Sequence, residues 1–473
     1  MKILIIHPPY KRDKLYIKPI KAMGVILPNL GLLYLAAVLE NQNHIVKIID
    51  GPALAVVKNY SYKNLTNDIK KFNPDVIGIS ASTSQIPLID LVLNSIKYSD
   101  TTPQIFLGGT GISADTNIIL NYPKINFGII GEAEFAFMEI IKKLEQGKDI
   151  KESKGLVWKE NNKVLFKYPD KINNLDSLPL PSWHLLDLKI YKPSVANYRK
   201  LPSVPLVTGR GCPYSCIFCS RSTEGLKYRA QSAERVVEEI ENLVNNFKVK
   251  DIQFYDDIFT MDIDRVKKIC QLIIEKNIKI MWTCRTRVDK VNVNILKLMK
   301  KAGCYQIAVG IESGSDRILK YMKKGITKEQ IINFCKITKK EGIDTRAFFI
   351  FGFPTETKKE IKETIKFMLK LKLDVAQIMI FTPLPGTEAW KEAKKYGKID
   401  ETDFSNFTYY PPNKIPFSSD ELSEKELLQL YSQAYRKFYL RPSYLLNKLF
   451  KIRTIEDIKR NFIAFKGIIS FKK

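Results

Sequence analysis

Short runs of β-branched residues alternate with amphipathic segments over residues 1–147. The apolar runs cover residues 3–6, 45–49, 76–79, 105–107 and 127–130. Segments such as 32–39 and 133–144, which lie between these runs, have the apolar spacing of helices. This alternation predicts an α/β fold with a doubly wound, Rossmann-like parallel sheet, whose ligands bind at the carboxyl ends of the strands.

A second alternation of strands and helices covers residues 198–422. Apolar residues three and four positions apart mark helix faces that contain Val236, Ile240 and Leu243, and Thr327 with Gln330 predicts a capping box. These repeated β–α units predict a TIM-type barrel. Between the two alternating regions, residues 148–197 predict a hairpin around 160–162 and a Pro-rich linker at 175–183.

The C-terminal region, residues 423–473, is helical and basic. Residues 436–473 contain eleven Lys or Arg against two acids, Glu456 and Asp457, and the whole chain has a net charge of +26. These helices are expected either to pack over the barrel mouth, which we favour, or to lie in a membrane interface. The charge alone fits an anionic partner or simply a Lys-rich, solvated surface.

Cysteine usage indicates a reducing, cytoplasmic setting. Of the seven cysteines, three share one loop and four are scattered, so a disulfide framework is not expected. Residues 1–9 contain too short an apolar run for a signal peptide, and no stretch of about 18 apolar residues predicts a transmembrane helix.

The three clustered thiols are Cys212, Cys216 and Cys219, with three residues in the first gap and two in the second. Three thiolates on one loop can bind three corners of a cubane iron–sulfur cluster and leave the fourth iron open. A mononuclear zinc site is the alternative, but it needs a fourth ligand, and the next cysteine is Cys270.

This spacing, with Phe218 before the last thiol, resembles the cluster motif of the radical S-adenosylmethionine (radical SAM) superfamily. The resemblance implies a partial (β/α)6 barrel, a [4Fe–4S] cluster and bound S-adenosylmethionine. In that family the open iron chelates the methionine group, and one electron splits the sulfonium to give a 5′-deoxyadenosyl radical. A donor such as ferredoxin or flavodoxin is expected to supply the electron.

Short polar segments after successive strands resemble the cofactor-binding segments of the same superfamily. Asp256 and Asp257 are expected to bind the methionine ammonium, and the Arg285 guanidinium to bind its carboxylate. The other residues that the resemblance assigns to S-adenosylmethionine are Glu312, Ser313, Gly352 and Pro383.

Small residues at the strand ends of the first region resemble the cobalamin-binding domain found ahead of many radical SAM domains. The residues that carry this resemblance are Pro8, Pro9, Gly31, Ser80, Gly108, Gly109, Gly131 and Glu132. Members that ligate cobalt from below use an Asp-x-His-x-x-Gly loop, whereas residues 7–13 here lack that pattern. We favour a structural role for His7 and expect cobalamin without a protein His ligand; a domain that has lost the cofactor is the alternative.

Together the motifs resemble the class B radical SAM methyltransferase-like family, which includes hopanoid methylases and the anaerobic magnesium-protoporphyrin monomethyl ester cyclase. The resemblance implies methylation of an unactivated carbon in a small-molecule or lipid-like substrate. A non-methylating cyclase or carbon–carbon coupling enzyme is the first alternative. An RNA-modifying enzyme is less favoured, because no Cys precedes Cys212, so a nucleic-acid partner is not expected. A sensor without catalytic activity is the last alternative.

Overall fold

The computed structural model describes residues 1–10, 26–97, 102–408, 414–450, 452 and 455–469. Residues 11–13, which belong to the loop compared above with a cobalt-ligating loop, lie outside the described residues.

The first sheet has the parallel organisation that the sequence predicts. Its strands are β1 (Lys2–His7), β2 (Ile45–Asp50), β3 (Val76–Ser80), β4 (Gln104–Gly108), β5 (Phe127–Ile129), β6 (Leu156–Glu160) and β7 (Lys163–Phe166). Among the described residues the strand order is β2-β1-β3-β4-β5-β6-β7, and β1 to β5 run parallel. The strand order reverses between β1 and β3, where ligand clefts of such sheets open.

Helices cover both faces of this sheet, which explains why its central strands are apolar on both sides. They are α1 (Leu30–Glu40), α2 (Gly51–Lys58), α3 (Tyr62–Phe72), α4 (Ile89–Ser95), α5 (Thr110–Ala114) and α6 (Ala133–Glu145).

The hairpin predicted around residues 160–162 is confirmed, and it extends the first sheet. Strand β6 pairs antiparallel with both β5 and β7. Asn161 and Asn162 have φ of 49° and 58°, the left-handed conformation that a two-residue hairpin turn requires. The first sheet therefore continues past residue 147, into the segment that the sequence assigned to hairpin and linker.

The second sheet is a curled, open barrel wall. Its parallel strands are β8 (Ser203–Leu206), β11 (Asp251–Phe254), β12 (Met281–Thr286), β13 (Cys304–Glu312), β14 (Asp344–Phe351) and β15 (Val375–Ile380), in the order β15-β14-β13-β12-β11-β8. A short pair, β9 (Gly209–Arg210) and β10 (Arg229–Ala230), flanks the cysteine loop. This architecture confirms the predicted α/β class, with a Rossmann-like domain followed by a partial TIM-type barrel.

Helices alternate with the strands of the barrel wall along the chain. They are α7 (Ala233–Phe247), α8 (Ile263–Glu275), α9 (Val293–Lys301), α10 (Asp316–Tyr321), α11 (Lys328–Lys340), α12 (Lys358–Lys370) and α13 (Glu388–Lys395). The capping box predicted at Thr327 and Gln330 is present at the start of α11.

The C-terminal region contains a small sheet of β16 (Gly397–Ile399) and β17 (Phe417–Ser419), followed by α14 (Glu424–Tyr439), α15 (Pro442–Phe450) and α16 (Ile455–Ile469). Helix α14 covers the open edge of β15. The Tyr439 hydroxyl donates to the carbonyl of Ala376 at 2.8 Å and accepts from its amide at 3.2 Å, and Tyr435 does the same at Ile378. Side-chain hydroxyls thus satisfy an otherwise unpaired strand edge. Among the described helices, none combines the length and apolar content that crossing a membrane requires.

One hydrophobic cluster is shared by the two domains. It runs from α1 and β1, through the fully buried Trp183, to α7 and the barrel strands. The linker tryptophan is therefore a packed residue between the domains.

Candidate active site

A cavity of about 930 Å³ lies between the strand ends of the first domain and the interior of the barrel wall. On the first domain it is lined by residues 82–84, which follow β3, and by Thr110, which follows β4. On the barrel it is lined by Cys219, Asp257 and Arg285, among others. Its volume is at the upper end of the range for cofactor and ligand sites.

The cysteine loop is fixed at both of its ends. Gly211 has φ of 85°, and a Cβ there would lie 2.2 Å from the carbonyl oxygen of Lys227, so the position requires glycine. The Cys212 amide donates to the carbonyl of Gly225 at 3.3 Å, and the Ile217 amide donates to that of Met322 at 3.1 Å. The backbone of the loop is thus held by two separate parts of the barrel domain.

Of the three thiols, Cys219 lines the cavity and is exposed, Cys212 is half-buried and Cys216 is buried. Burial raises the pKa of Cys212 above its ordinary value. Cluster binding must therefore displace a proton from this thiol. Among the described residues, no three His, Cys, Asp or Glu side chains form a group that could hold a single metal ion.

The two neighbouring aspartates after β11 have different surroundings. Asp256 is buried and accepts hydrogen bonds from the Thr208 amide at 2.7 Å and the Thr208 hydroxyl at 2.8 Å. Asp257 lines the cavity; burial raises its pKa, and the Arg285 charge opposes that rise. Asp257 is therefore the carboxylate of the pair that can reach a ligand in the cavity.

The two arginines of β12 and its following loop are also distinct. Arg285 lines the cavity, with its guanidinium 3.9 Å from the centroid of the Tyr255 ring. Arg287 is buried and lies 3.7 Å from the Tyr214 ring of the cysteine loop, while donating to the carbonyl oxygens of Lys324 and Gly325. Arg285 faces the ligand space, and Arg287 holds the loop.

Glu312 forms a buried ion pair beside the cysteines. The ammonium of Lys324 donates to its carboxylate at 2.7 Å, and both side chains are about nine-tenths buried. Burial alone would lower the pKa of Lys324, but Glu312, with contributions from the nearby Cys216 and Cys219, raises it above its ordinary value. A cation therefore lies next to the thiol ligands.

The backbone is shaped to place this ion pair. The register of β13 against β14 shifts between Gly310 and Glu312, and Glu312 has φ of 67°, which is unusual for a residue with a side chain. A Cβ at Gly310 would lie 2.0 Å from Glu312 Oε1 and 2.6 Å from Lys324 Nζ. Glycine at position 310 thus leaves the space that the pair occupies.

The remaining residues predicted for S-adenosylmethionine do not line the cavity. Ser313 is buried and bonded to Thr364 at 3.1 Å, and the Gly352 amide donates to Glu356 at 2.8 Å. Pro383 is buried, although its neighbours Thr382 and Leu384 do line the cavity. Contact of these three residues with a cofactor stays a prediction.

The residues predicted for cobalamin lie around the strand ends without lining the cavity. Pro8 and Pro9 are buried, Gly31 is exposed on α1, and Ser80, Gly108, Gly109 and Gly131 are half-buried. The cavity is instead bordered by the residues that directly follow those strands, namely residues 82–84, Thr110 and Ala114. The predicted residues therefore lie next to the cavity lining, and their contact with cobalamin stays a prediction.

Glu132 is occupied by an ionic network between the domains. Its carboxylate accepts from two nitrogens of Arg229 and, at 3.3 Å, from Arg210, whose other nitrogen donates to Glu134 at 2.6 Å. Burial would raise the pKa of Glu132, but the arginines hold it below its usual value. Arg210 directly precedes Gly211, so this network connects the first domain to the start of the cysteine loop.

All three histidines of the chain are described, and none lines the cavity. His7 Nδ1 lies 3.2 Å from the Asp50 carboxylate, and His7 Nε2 lies 2.8 Å from the amide nitrogen of Gln85. His44 contacts the N-terminal amine, and His184 contacts Glu40. Both ring nitrogens of His7 are engaged, which supports the structural role that the sequence favoured.

The donor set fits the cofactors that the sequence implies. Three thiols on one anchored loop suit a [4Fe–4S] cluster, and Asp257 with Arg285 suits the ammonium and carboxylate of a methionine group. Hydroxyls and small side chains after β3 and β4 would leave room for a large planar ligand on that side of the cavity.

Comparisons with known proteins agree with this geometry. Residues 206–368 match the Radical SAM superfamily, and residues 20–141 match the B12 binding domain. An uncharacterized methyltransferase of Pyrococcus horikoshii is 37% identical over 456 residues, which cover 95% of each chain. The anaerobic magnesium-protoporphyrin IX monomethyl ester cyclase of Rubrivivax gelatinosus is 26% identical over 94% of this chain and 78% of its own.

The fold is also found in a solved structure, the cobalamin-dependent S-adenosylmethionine radical enzyme OxsB with aqua-cobalamin and S-adenosylmethionine bound. The TM-score is 0.75 at 19% identity, over 99% of this chain and 71% of that chain. The chain therefore belongs to the cobalamin-binding radical SAM enzymes, a family with methyltransferase members, whose cofactors are a [4Fe–4S] cluster, S-adenosylmethionine and cobalamin.

Proposed function

We propose that this enzyme methylates an unactivated carbon of a small molecule held in the cavity between its two domains. The observation that carries the proposal is that one cavity is bordered by Cys219, by the strand ends of the B12-binding domain and by the barrel interior. When bound, the cluster and S-adenosylmethionine supply hydrogen abstraction, and cobalamin supplies the methyl group. A substrate carbon between them is accessible to both.

The residues of the chain bind and orient these groups. Asp257 accepts hydrogen bonds from the methionine ammonium, and Arg285 donates to its carboxylate, so the methionine end is held in one orientation. The Lys324 ammonium stays beside the cluster ligands and offsets their negative charge. The apolar lining, which includes Phe348, Ile350 and Met379, excludes water from the space that the substrate occupies.

The test uses reconstituted enzyme and S-adenosylmethionine with an isotopically labelled methyl group, incubated with a small-molecule extract. We expect a product heavier than its precursor by one labelled methylene unit. The Asp257→Asn variant and the Arg285→Gln variant should each fail to form this product. Similarity to the magnesium-protoporphyrin ester cyclase supports a second candidate function, a non-methylating radical reaction. A new product that carries no label would contradict methyl transfer and support that non-methylating reaction.

We propose ferredoxin or flavodoxin as the electron donor. The net charge of +26 favours an acidic partner through electrostatic steering. Release of 5′-deoxyadenosine driven by flavodoxin should fall steeply with added salt, whereas release driven by dithionite should not. Equal salt dependence with both reductants would contradict an electrostatic complex.

We also propose that α15 and α16 contact an anionic membrane surface, where a lipid-like substrate would be available. Leu449, Phe450 and Phe462 are 62%, 85% and 57% exposed, on helices that also carry Lys448, Lys459 and Lys466. Exposed aromatic and aliphatic side chains among lysines match the chemistry of an anionic lipid interface.

Vesicle sedimentation tests this contact. The protein should pellet with phosphatidylglycerol vesicles and remain unbound with phosphatidylcholine vesicles. Phe450→Ser with Leu449→Ser should abolish pelleting, while Leu226→Ser, at another exposed leucine, should not. Equal pelleting of the double variant and the wild type would overturn the proposal.

A further inference from the structure

One part of the cavity wall is built mainly from apolar and neutral groups. Strands β14 and β15, helix α14 and residues 194–197 contribute these lining residues: Ser194, Ala196, Asn197, Arg346, Phe348, Ile350, Val375, Ala376, Gln377, Met379, Ile380, Tyr435 and Tyr439. Among these described residues Arg346 is the one with a charged side chain. The other charged lining residues are Arg221, Glu224, Asp257, Arg285 and Glu312, on the cysteine-loop segment and strands β11 to β13.

Arg346 points into the barrel because of strand alternation. Thr345, Ala347 and Phe349 are fully buried toward the helices, and Arg346, Phe348 and Ile350 border the cavity. The guanidinium lies 5.0 Å from the Phe348 ring centroid and donates to the amide oxygens of Asn197 and Gln377. Two neutral amides and one ring thus fix its orientation at the cavity wall.

Strand register places Arg346 at the same level of the barrel as Arg285. Arg285 pairs with Ala308, and Ala308 pairs with Arg346. Because neighbouring strands are about 4.8 Å apart, the Cα atoms of the two arginines are about 10 Å apart across two strands. The residue between them, Ala308, is buried and has a small side chain.

The two arginines divide the cavity between two ligands. Arg285 lies beside Asp257, the pair that suits the zwitterionic methionine group, whereas Arg346 lies beside the Phe348 ring and the side-chain amides of Asn197 and Gln377. We infer that Arg346 binds the anionic group of the substrate, a carboxylate or a phosphate on an apolar body, and so determines substrate class. This inference rests on the proposed function, since it names the substrate of the same cavity.

The geometry also gives the orientation of the substrate. A guanidinium carries five N–H donors, more than the contacts with Asn197 and Gln377 use, so it can also donate to a carboxylate or phosphate and hold that anion at β14. The apolar body then lies along Phe348, Ile350 and Met379, toward the cysteine loop that carries Cys219. The reacting carbon is therefore one that is separated from the anionic group by the length of that body.

Binding of simple amphipathic probes tests the inference, because each probe carries only the two features that the cavity is inferred to recognise. Reconstituted enzyme with all three cofactors is titrated calorimetrically with octanoate, octyl phosphate and octan-1-ol. We expect both anions to bind at least tenfold more tightly than the alcohol, and the tighter of the two indicates which anionic group the substrate carries. Binding of octan-1-ol as tightly as the anions, or no binding of either anion, would overturn the inference.

Variants at two arginines, one inside and one outside the cavity, provide the comparison. Arg346→Gln should weaken anion binding at least tenfold and leave octan-1-ol binding unchanged, while Arg346→Lys keeps a cation and retains part of the affinity. Arg436→Gln, on α14 and outside the cavity lining, should leave probe binding unchanged. If Arg346→Gln also loses octan-1-ol binding, its pocket has collapsed and Arg346→Lys becomes the test. If Arg346→Lys then binds the anions no more tightly than octan-1-ol, the inference is overturned.

The same preparations separate this inference from the proposed function. Background release of 5′-deoxyadenosine is measured in wild type and Arg346→Gln and is expected in both. Absence of the nucleoside in wild type would count against the proposed function while the binding result still stands. Nucleoside release together with unchanged anion binding in Arg346→Gln would remove only the substrate assignment.

Discussion

Glu132 of the first domain and Arg229 of the barrel domain form a buried ion pair. Arg229 also donates to the carbonyl oxygens of Ile172 and Glu224, so one guanidinium joins the first domain, the linker and the cysteine-loop segment. The relative position of the two cofactor-binding domains therefore depends on charges that water does not screen.

Glu132→Gln is expected to destabilise the protein strongly, because it leaves Arg229 and Arg210 buried without their shared carboxylate. Removing one partner of a buried pair typically costs about 3–5 kcal/mol, measurable by urea denaturation. Glu139→Gln on α6, the helix that begins directly after Glu132, is the control, since Glu139 is 56% exposed in its pair with Lys143 and such pairs contribute about 0.5 kcal/mol. Equal stability of the two variants would contradict an interdomain role for Glu132.

Lys324→Met is expected to lower the reduction potential of the bound cluster, because it removes a buried cation next to Cys216 and Cys219. The measurement is a redox titration followed by electron paramagnetic resonance. Lys323→Met provides the matched control, since Lys323 is half exposed and pairs with Glu388 instead. An unchanged potential in Lys324→Met would show that the ion pair with Glu312 does not tune the cluster.

Glu356 predicts a pH dependence of stability. Burial raises the pKa of its carboxyl to about 8, above the ordinary 4.5, despite hydrogen bonds from the Gly352 and Phe353 amides. The folded state therefore favours the protonated Glu356 carboxyl. The stability that this protonated carboxyl contributes is lost as pH rises from 4.5 to about 8.

Glu356→Gln removes this titration. The free energy of unfolding of wild type, relative to the variant, should fall across that window by up to about 1.4 kcal/mol per pH unit. Urea denaturation at a series of pH values measures it, with Glu363→Gln, a half-exposed residue, as control. Parallel pH profiles of wild type and Glu356→Gln would contradict the raised pKa.

Tyr439→Phe tests how the barrel edge is closed. The variant loses the hydroxyl that pairs with both backbone groups of Ala376, and unpaired buried groups cost about 1–3 kcal/mol. Amide hydrogen exchange should quicken at Ala376, while Tyr168→Phe, whose side chain is 78% exposed, should change nothing. Unchanged exchange at Ala376 would mean that α14 covers the edge without the hydroxyl.

Local patterns predicted the elements that depend on local interactions. The spacing of apolar residues predicted the alternation of strands and helices. Turn residues predicted the hairpin at Asn161 and Asn162, and a capping pair predicted the helix start at Thr327. The cysteine triplet was equally visible, because all of its ligands lie within eight residues of one loop.

Roles that depend on tertiary contacts were not visible in the sequence. Asp256 and Asp257 are neighbours with the same side chain, and only the alternation at the end of β11 places one in the core and the other in the cavity. Lys324 and Glu224 carry no motif, yet folding places Lys324 beside Glu312 and Glu224 at the cavity wall. Glu132 has the motif of a cofactor residue, but its partners come from a distant part of the chain.

The most direct test of cobalamin-dependent radical chemistry is anaerobic reconstitution with iron, sulfide and hydroxocobalamin, followed by quantification of retained corrinoid and of 5′-deoxyadenosine formed under reduction. We predict that wild type retains both cofactors and releases the nucleoside. Cys216→Ala should lose cluster and nucleoside but keep the corrinoid, while Cys270→Ala should behave as wild type. A cluster with nucleoside release but without corrinoid would contradict a cobalamin-dependent enzyme, and absence of a cluster would contradict the whole assignment.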